Sequence, residues 1–559
     1  MFMPPLHRLA MLACSGAAIL LPASARAQTR PSAFFNMFGS AAGDQMGTSV
    51  RDAGDFNRDG YVDVIVASPG ENGGIGAARV FSGKDGSIIK TFLGQSAGDH
   101  FGRGVSGVGD VNQDGFDDVL IGAPQDGTGA GYARLFSGFD GSSLYTFTGG
   151  AAQDLFGYAV SDIGDVNNDS FGDLVVGAPR DAASALSGYV LILSGKDGSV
   201  LHTLNGLHGG DRFGFAVRRA GTVNLDPCAD LLIGAPGDAN GTGYAQVRSG
   251  CDGSVLLSFQ GQLAADSFGY AVSGVGDLNG DGFGDVVIGA PGDDTSFADA
   301  GSATLFSGKD GTVLATVLGD QAGVALGSSV SEGGHIDPGA GLDFLVGAPA
   351  SCTSASPGYA LALTLVGASV RTIYRADGDA PGDSFGASVS WARDINSDGA
   401  DDFIVGAPCD DNTGAEAGSA RLFSGRVCFA SWSNYGNGFA GSNCTPTLTS
   451  SGNPVICATV DLDITNCRGQ DTQALLIAGL TPGVIPNPQG GDLLVSPPWV
   501  FRPMTLPAAG ASLPFHVLCD SVFCGLTIYV QAMQFDPGAG GPNQDVSSTP
   551  GLALVLGGF

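Results

Sequence analysis

The sequence predicts an all-β chain: a seven-bladed β-propeller followed by a small, disulfide-bonded, sandwich-like β domain. Three observations carry that expectation. A stretch reading GDVNQDGFDDVLIGAP at 109–124 recurs, giving seven copies that begin at 54, 109, 164, 221, 276, 334 and 393. A Phe-Gly anchor or close variant lies at a constant distance before each copy, and the anchors repeat every 55–59 residues. Each complete unit carries four short apolar runs separated by turn signals, with no helical periodicity.

The elements follow in order within one unit. After the anchor, as at Phe101-Gly102, comes a short first strand and then an acidic loop. Val119-Leu120-Ile121, bounded by Gly and Pro, predicts a buried second strand. GYARLFSG at 131–138 alternates like a third strand and meets an Asp-Gly turn, the strongest short hairpin signal. LYTFTG at 144–149 supplies the fourth strand. Four-stranded units in a closed ring make a propeller; an open β-solenoid is the rival, although its repeats are usually shorter. The ends favour closure. AFFNMFGSAAGDQ at 33–45 matches a fourth strand and its following loop, while the seventh unit stops after its third strand at 418–425. The anchor glycine permits close approach between blades and the aromatic ring fills the wedge.

The acidic loop is the candidate site. At its positions 1, 3, 5 and 9 stand Asp55, Asn57, Asp59 and Asp63; Asp110, Asn112, Asp114 and Asp118; Asp165, Asn167, Asp169 and Asp173; Asp277, Asn279, Asp281 and Asp285; and Asp394, Asn396, Asp398 and Asp402. Backbone carbonyls at position 7 (Tyr61, Phe116, Phe171, Phe283 and Ala400) complete the expected set. Hard oxygen donors at this density suit Ca2+, giving about five sites, whereas zinc or copper would want His or Cys. Gly at position 6 supplies the sharp turn, except in the third copy, which has Ser170. The loop is not an EF-hand, because position 12 is apolar (Val66, Ile121) and strands flank it. The competing reading is a polar turn capped by its own Asp and Asn side chains. The fourth copy (Thr222, Asn224, Asp226, Asp230) and the sixth (His335, Asp337, Gly339, Asp343) have lost ligands and are read as metal-free.

Phe-Gly, the DxNxDGxxD loop and Gly-Ala-Pro in this order resemble FG-GAP repeats, as in the integrin alpha-chain N-terminal propeller. The resemblance covers about residues 33–427. It implies seven blades, calcium loops on one face and ligand recognition at the opposite face. The chain departs from integrins after the repeats, with no later membrane span, inserted metal-dependent adhesion domain or cytoplasmic tail, so only the module carries over and integrin-type heterodimer signalling is not implied. Segment lengths vary mostly after Gly-Ala-Pro, and acids gather at that end: Asp126, Asp181, Asp238, Asp293, Asp294, Asp410 and Asp411, with Asp44, Asp99, Asp154, Asp211, Asp266 and Asp383 two residues before an anchor. These are either ligand contacts or solvated turn residues.

Composition narrows the classes. The chain has 559 residues and a formal net charge of −31. That argues against nucleic acid, which needs a basic footprint, and is compatible with bound cations. Residues 1–27 read as a secretory signal: His7 and Arg8, an apolar run from Leu9 to Leu21, then Ala25-Arg26-Ala27. A lipoprotein anchor on Cys14 is the rival reading. No later stretch approaches the ~18–20 apolar residues of a membrane helix. The expected location is secreted or at the cell surface, where disulfides form. Cys228 with Cys251, and Cys352 with Cys409, fall at matching ends of one blade or of neighbouring blades and are expected to pair.

Residues 428–559 form the expected C-terminal β domain, with Cys428, Cys444, Cys457, Cys467, Cys519 and Cys524 in open connectivity. Gly94-Gln95-Ser96-Ala97-Gly98 matches a nucleophile-elbow pattern but lies in a repeat loop with no following helix. The expectation is therefore not an enzyme. It is a calcium-binding propeller mediating adhesion or binding of an extracellular protein or glycan. The alternatives are a polysaccharide-processing enzyme or its binding subunit, or a structural envelope protein.

Overall fold

Seven first strands surround a common axis: Val50–Gly54, Gly104–Gly109, Ala159–Gly164, Ala216–Gly221, Ala271–Gly276, Ser329–Gly334 and Ser388–Arg393. Each touches the next and the last touches the first, so the ring is closed. The computed structural model describes residues 33–425 except 126–128, 181–183, 238–241, 264 and 338–340, together with a set of strands between 431 and 555. The signal-like residues 1–27 and the six C-terminal cysteines lie outside the described residues.

Each first strand opens a four-stranded antiparallel sheet, and there are seven such sheets. The second strands, Asp63–Ser68, Asp118–Ala123, Asp173–Ala178, Asp230–Ala235, Asp285–Ala290, Asp343–Ala348 and Asp402–Ala407, are buried along their whole length. That burial explains their unbroken apolar sequence: a mid-blade strand is covered on both faces by neighbouring blades. Ala33–Phe38 supplies the outer strand of the seventh sheet, with Met37 opposite Ala420 and Phe38 opposite Ser419. The N-terminus thus completes the last blade, as the repeat pattern implies.

The two sequence signatures turn out to be halves of one contact. In the second blade the Gly102 amide donates to the Gly122 carbonyl at 2.9 Å, tying anchor to Gly-Ala-Pro triplet. Gly122 in turn lies against the next blade, where an added Cβ would sit 1.9 Å from the Gly157 carbonyl oxygen. Gly406 meets the Gly47 carbonyl in the same way, at 2.0 Å, so this contact also closes the ring. The anchor ring fills the wedge: Phe101 packs with Val80 and Phe92 of the first blade and Tyr132 and Phe136 of the second.

The sixth blade departs from the pattern. Its outer pair, Tyr359–Val366 and Ser369–Asp377, runs to 8 and 9 residues where the second blade has 5 and 6. No Asp-Gly turn occurs there, so the two strands continue further before reversing. In the C-terminal part, Ser431–Tyr435, Thr472–Gly479, Val500–Leu506, Thr527–Phe535 and Gly551–Val555 share one sheet, and Leu448–Ser450, Thr459–Ile464 and Ala511–His516 another. Leu448, Leu462 and Ile464 share a core with Ala474, Leu506, Val530 and Leu552, so the two sheets face each other as a sandwich.

Candidate metal loops, their substitutes and the opposite face

The acidic loop is wound by its own carboxylates. In the second blade, Asp110 accepts the Asp114 amide at 2.9 Å and the Gly115 amide at 2.8 Å. Asn112 Oδ1 also accepts the Asp114 amide, and Asp114 accepts that of Phe116 at 3.0 Å. The same pattern holds for Asp55, Asn57 and Asp59; Asp165, Asn167 and Asp169; Asp277, Asn279 and Asp281; and Asp394, Asn396 and Asp398. Ser170 keeps the turn of the third loop with φ 73°, doing what glycine does elsewhere. The position 7 side chains serve as supports. The hairpin lysines Lys84, Lys196 and Lys309 lie 5.2–5.4 Å from the ring centroids of Tyr61, Phe171 and Phe283. Phe139 replaces the lysine in the second blade and packs edge-on against Phe116, with centroids 5.3 Å apart.

Position 9 is different in kind. Asp63, Asp118, Asp285 and Asp402 are 0 % exposed and Asp173 is 1 % exposed. Asp118 Oδ2 accepts the Val111 amide at 3.0 Å, and its Oδ1 accepts the Gly138 amide from the hairpin turn at 3.0 Å. Gly83, Gly195, Gly308 and Gly425 make the equivalent bond in other blades. One carboxylate therefore ties loop to hairpin with or without an ion. Burial pushes Asp63 and Asp118 up to about 7, Asp285 up to about 6, Asp402 up to about 8, and Asp173 upward. The backbone donors oppose that rise, while neighbouring loop carboxylates add to it, as Asp59 and Asp55 do for Asp63. A cation would favour the ionised form that burial disfavours, and the oxygen-only donor set fits a hard divalent ion.

The ligand atoms are nonetheless spread. Among the described residues, three carboxylate or thiol ligand atoms lie within 4.8 Å of one another at Asp379, Asp383 and Asp410 and at Asp226, Cys228 and Cys251, and not within the five loops. The loop shell would have to draw in around an ion. The first of those two groups is already satisfied by Arg421, Ser419 and the Asn412 and Ala380 amides. The cysteines of the second are joined to each other.

The two degenerate loops carry substitutes. In the fourth blade Cys228, on the loop, is bonded to Cys251, in the hairpin turn, with Cα atoms 5.5 Å apart. In the sixth, Arg371 of the lengthened outer strand reaches the loop and pairs with Asp337 at 2.8 Å. Asp230 and Asp343 keep the buried position 9 carboxylate, each accepting a loop amide. The second expected disulfide, Cys352–Cys409, links the sixth and seventh blades with Cα atoms 5.7 Å apart.

Most described acids of the opposite face are taken up in hydrogen bonds of their own turns. Asp44, Asp99, Asp154, Asp211, Asp266 and Asp383 are 0–8 % exposed. Asp99 accepts the Gln95 and Ser96 amides and the Tyr132 hydroxyl; Asp154 and Asp211 take Tyr189 and Tyr244 likewise. The nucleophile-like Gly94–Gly98 stretch is thereby a capped turn. Asp293, Asp294 and Asp411 accept amides within their own loops, and Asp410 is 1 % exposed. Asp126, Asp181, Asp238 and Gly339 lie outside the described residues.

The axis itself holds charges that the repeat pattern does not flag. Towards the acidic-loop face, a cavity of about 620 Å³ is lined by Asp52, Asp162, Glu332, Arg219, Trp391 and Arg393, among others. Arg393 lies 3.2 Å from Asp52 and Arg219 3.9 Å from Asp162. Glu332 forms no ion pair with a described residue. Burial pushes it up to about 7, and Asp52 and Asp162 reinforce the rise. Lining the seven copies up residue by residue would expose these positions, since they all fall six residues after an anchor or close to it.

Comparison with known proteins agrees with the repeat reading. The FG-GAP repeat family matches at residues 52–81, 101–136, 268–306 and 385–423, in the first, second, fifth and seventh blades. Integrin alpha-V of Gallus gallus is 31% identical over 237 residues, 39% of this chain and 23% of that protein. Integrin alpha-5 of Xenopus laevis is 32% identical over 216 residues, 35% of this chain and 20% of that protein. The chain thus spans about a fifth of the length of these curated relatives. Among solved structures, the Dos1 propeller overlaps 71% of this chain and 96% of its own at 10% identity, with a TM-score of 0.41.

Proposed function

The chain carries FG-GAP repeats in an integrin alpha-like propeller, and on that premise we propose that it is a calcium-binding, ligand-binding module acting in adhesion outside the cell or at its surface. The observation that supports calcium most directly is the position 9 carboxylate. Five times it is buried beside further loop acids, in a donor set made only of oxygens. In this reading Asp55, Asn57, Asp59, Tyr61 and Asp63 hold one ion. Asp110, Asn112, Asp114, Phe116 and Asp118 hold the second, and Asp165, Asn167, Asp169, Phe171 and Asp173 the third. Asp277, Asn279, Asp281, Phe283 and Asp285 hold the fourth, and Asp394, Asn396, Asp398, Ala400 and Asp402 the fifth. Tyr61, Phe116, Phe171, Phe283 and Ala400 contribute their backbone carbonyls. The ions neutralise the corners and fix first strand to second strand; they supply no chemistry. Residues 1–27 act as an export signal, 33–427 as the propeller and 428–559 as an accessory β domain. Among the described residues, no helix is long and apolar enough to cross a membrane.

The partner is a protein or glycan met at the face opposite the acidic loops. The test is a binding screen of glycans and matrix proteins with and without calcium, alongside elemental analysis of the purified protein. Calcium near five ions per chain, and ligand capture lost on chelation, is the expected result. Protein free of calcium at millimolar supply, or capture indifferent to it, overturns the reading.

A further inference from the structure

The half of the axial channel that opens away from the acidic loops has the opposite charge character from the rest of the molecule. Its cavity, about 160 Å³, is lined by three arginines, Arg51, Arg103 and Arg218, and three aromatic residues, Tyr158, Phe215 and Tyr270. Everything else that lines it is Ser, Thr, Gly, Ala or Val, and no acid is among the lining residues. The chain as a whole carries −31.

Two of the arginines form a floor. Arg51 donates to the backbone carbonyls of Val50 and Val389, and Arg218 to those of Val160 and Val217. Neither forms an ion pair with a described residue. Both also border the lower cavity that holds Asp52, Asp162 and Glu332, yet a guanidinium has five N–H donors, and the bonds to carbonyls leave several of them open on the upper side. Burial lowers Arg51 to about 10 despite Asp52, Glu332 and Asp162 in the far half of the channel. The aromatic residues form a collar above this floor. Tyr158 and Phe215 pack as tilted rings with centroids 4.8 Å apart, as do Phe215 and Tyr270, and Arg103 covers Tyr158 at 4.3 Å.

We propose that this upper channel is an anion receptor, and that it takes the carboxylate of a single glutamate or aspartate side chain presented by a partner protein. The proposal deepens the ligand-binding reading above and rests on it. Depth favours a side chain over an acidic sugar. Collar residues stand two positions after their anchors and floor residues five, three strand residues apart, roughly 10 Å. Asp or Glu carries its carboxylate on a slim apolar stem, whereas a uronate carries it directly on a ring that would have to pass the collar. A long polyanion is disfavoured by the net charge around the mouth, so one protruding carboxylate is the fitting shape.

The variants have internal precedent. Five of the seven copies carry serine at the floor position: Ser106, Ser161, Ser273, Ser331 and Ser390. Arg51→Ser with Arg218→Ser therefore leaves a residue the fold already uses there. The measurement is ligand-observed NMR on the full chain with N-acetyl-glutamate amide, N-acetyl-glutamine amide and methyl glucuronide. The expected result is saturation transfer to the glutamate probe at least tenfold tighter than to glutamine. It should be lost in the double variant at unchanged melting temperature. Equal binding of glutamate and glutamine, or binding retained by the double variant, overturns the anion receptor. Tighter binding of the glucuronide overturns the side-chain choice. Should the double variant not fold, wild-type crystals soaked in bromide decide: an anomalous peak between Arg51 and Arg218 supports the site and its absence removes it. Calcium-dependent capture of a ligand that survives in the double variant would leave the binding reading standing while this inference falls.

Discussion

The Arg371 guanidinium stands 2.8 Å from the Asp337 carboxylate, at the blade corner where the acidic loop retains only Asp337 and the buried Asp343 of its acids. A side chain from the outer strand there takes the role proposed for an ion elsewhere. The fourth blade solves the same problem covalently, through Cys228 and Cys251. If calcium fills the five intact loops as proposed, corners four and six need no metal, and corners seven, one, two and three form an unbroken metal-dependent run.

Arg371→Gln is expected to cost little, because the arginine side chain is 50% exposed and solvent screens the pair. About 0.2–1 kcal/mol is the scale for such contacts. Urea unfolding with and without a chelator checks this: the loss should be the same in both. A loss that appears only with calcium present would mean that the sixth corner binds metal after all.

Cys228→Ser with Cys251→Ser should cost more. The bond closes a loop with sequence separation 23, and loop-closure entropy assigns about 3 kcal/mol to that length. Saturating calcium should not restore it. The check is the urea midpoint under non-reducing conditions, against wild type treated with reductant, and restoration by calcium would contradict the assignment.

Chelation should lower the melting temperature. With extracellular-type affinities near ~10⁻⁴–10⁻³ M, millimolar calcium adds roughly 0.4–1.4 kcal/mol per site, about 2–7 kcal/mol over five. Asp110→Ala removes one increment and also uncaps the Asp114 and Gly115 amides, which costs about 1 kcal/mol without any ion. Calorimetry separates the two parts, since only the first depends on calcium. A variant equally destabilised in both media places no ion at that loop.

Glu332 gives a pH signature. The folded chain holds its proton up to about 7, whereas the unfolded chain releases it near the ordinary value of 4.5. Between those values the folded form binds more protons, so this group makes stability fall as pH rises through the window and level off above it. Glu332→Gln should raise the melting temperature at pH 8 and leave it nearly unchanged at pH 4. A rise of equal size at both would point to packing rather than charge.

Gly122→Ala puts a methyl group 1.9 Å from the Gly157 carbonyl oxygen, and backbone must move to admit it. Overpacking of this kind costs about 1–3 kcal/mol. Gly341→Ala, with nothing within 4 Å, is the neutral control. Chemical denaturation of the pair tests whether the Gly-Ala-Pro signature is an inter-blade contact.

The repeat was legible because its periodic parts are local. Phe-Gly, the DxNxDG turn and the Asp-Gly hairpin each set a backbone conformation within a few residues, and the spacing between them encodes one blade. Charges acting across the blade were not legible. Asp99 capping buried amides and an exposed ligand aspartate read alike in sequence, because burial comes from the neighbouring blade. Asp118 reads as one ligand among four, and its bond to Gly138 needs the hairpin folded back on the loop. Arg371 reaches the sixth loop from a strand whose turn lacks the Asp-Gly signature. Arg51 and Arg218 were the accessible omission, since each breaks a column of serines.

The pairing of Phe38 with Ser419 has a consequence for how the molecule is assembled. The clasp is made from opposite ends of the array; Thr413 donates to the Gly39 carbonyl across 374 residues. The first strand to emerge from a ribosome must therefore wait, unpaired, until the last blade exists. Until then two raw sheet edges face solvent, with every intermediate open to strand exchange with a sister chain. Folding of this protein is a race between self-closure and aggregation, and conditions that slow the final blade should produce linked oligomers rather than unfolded monomer.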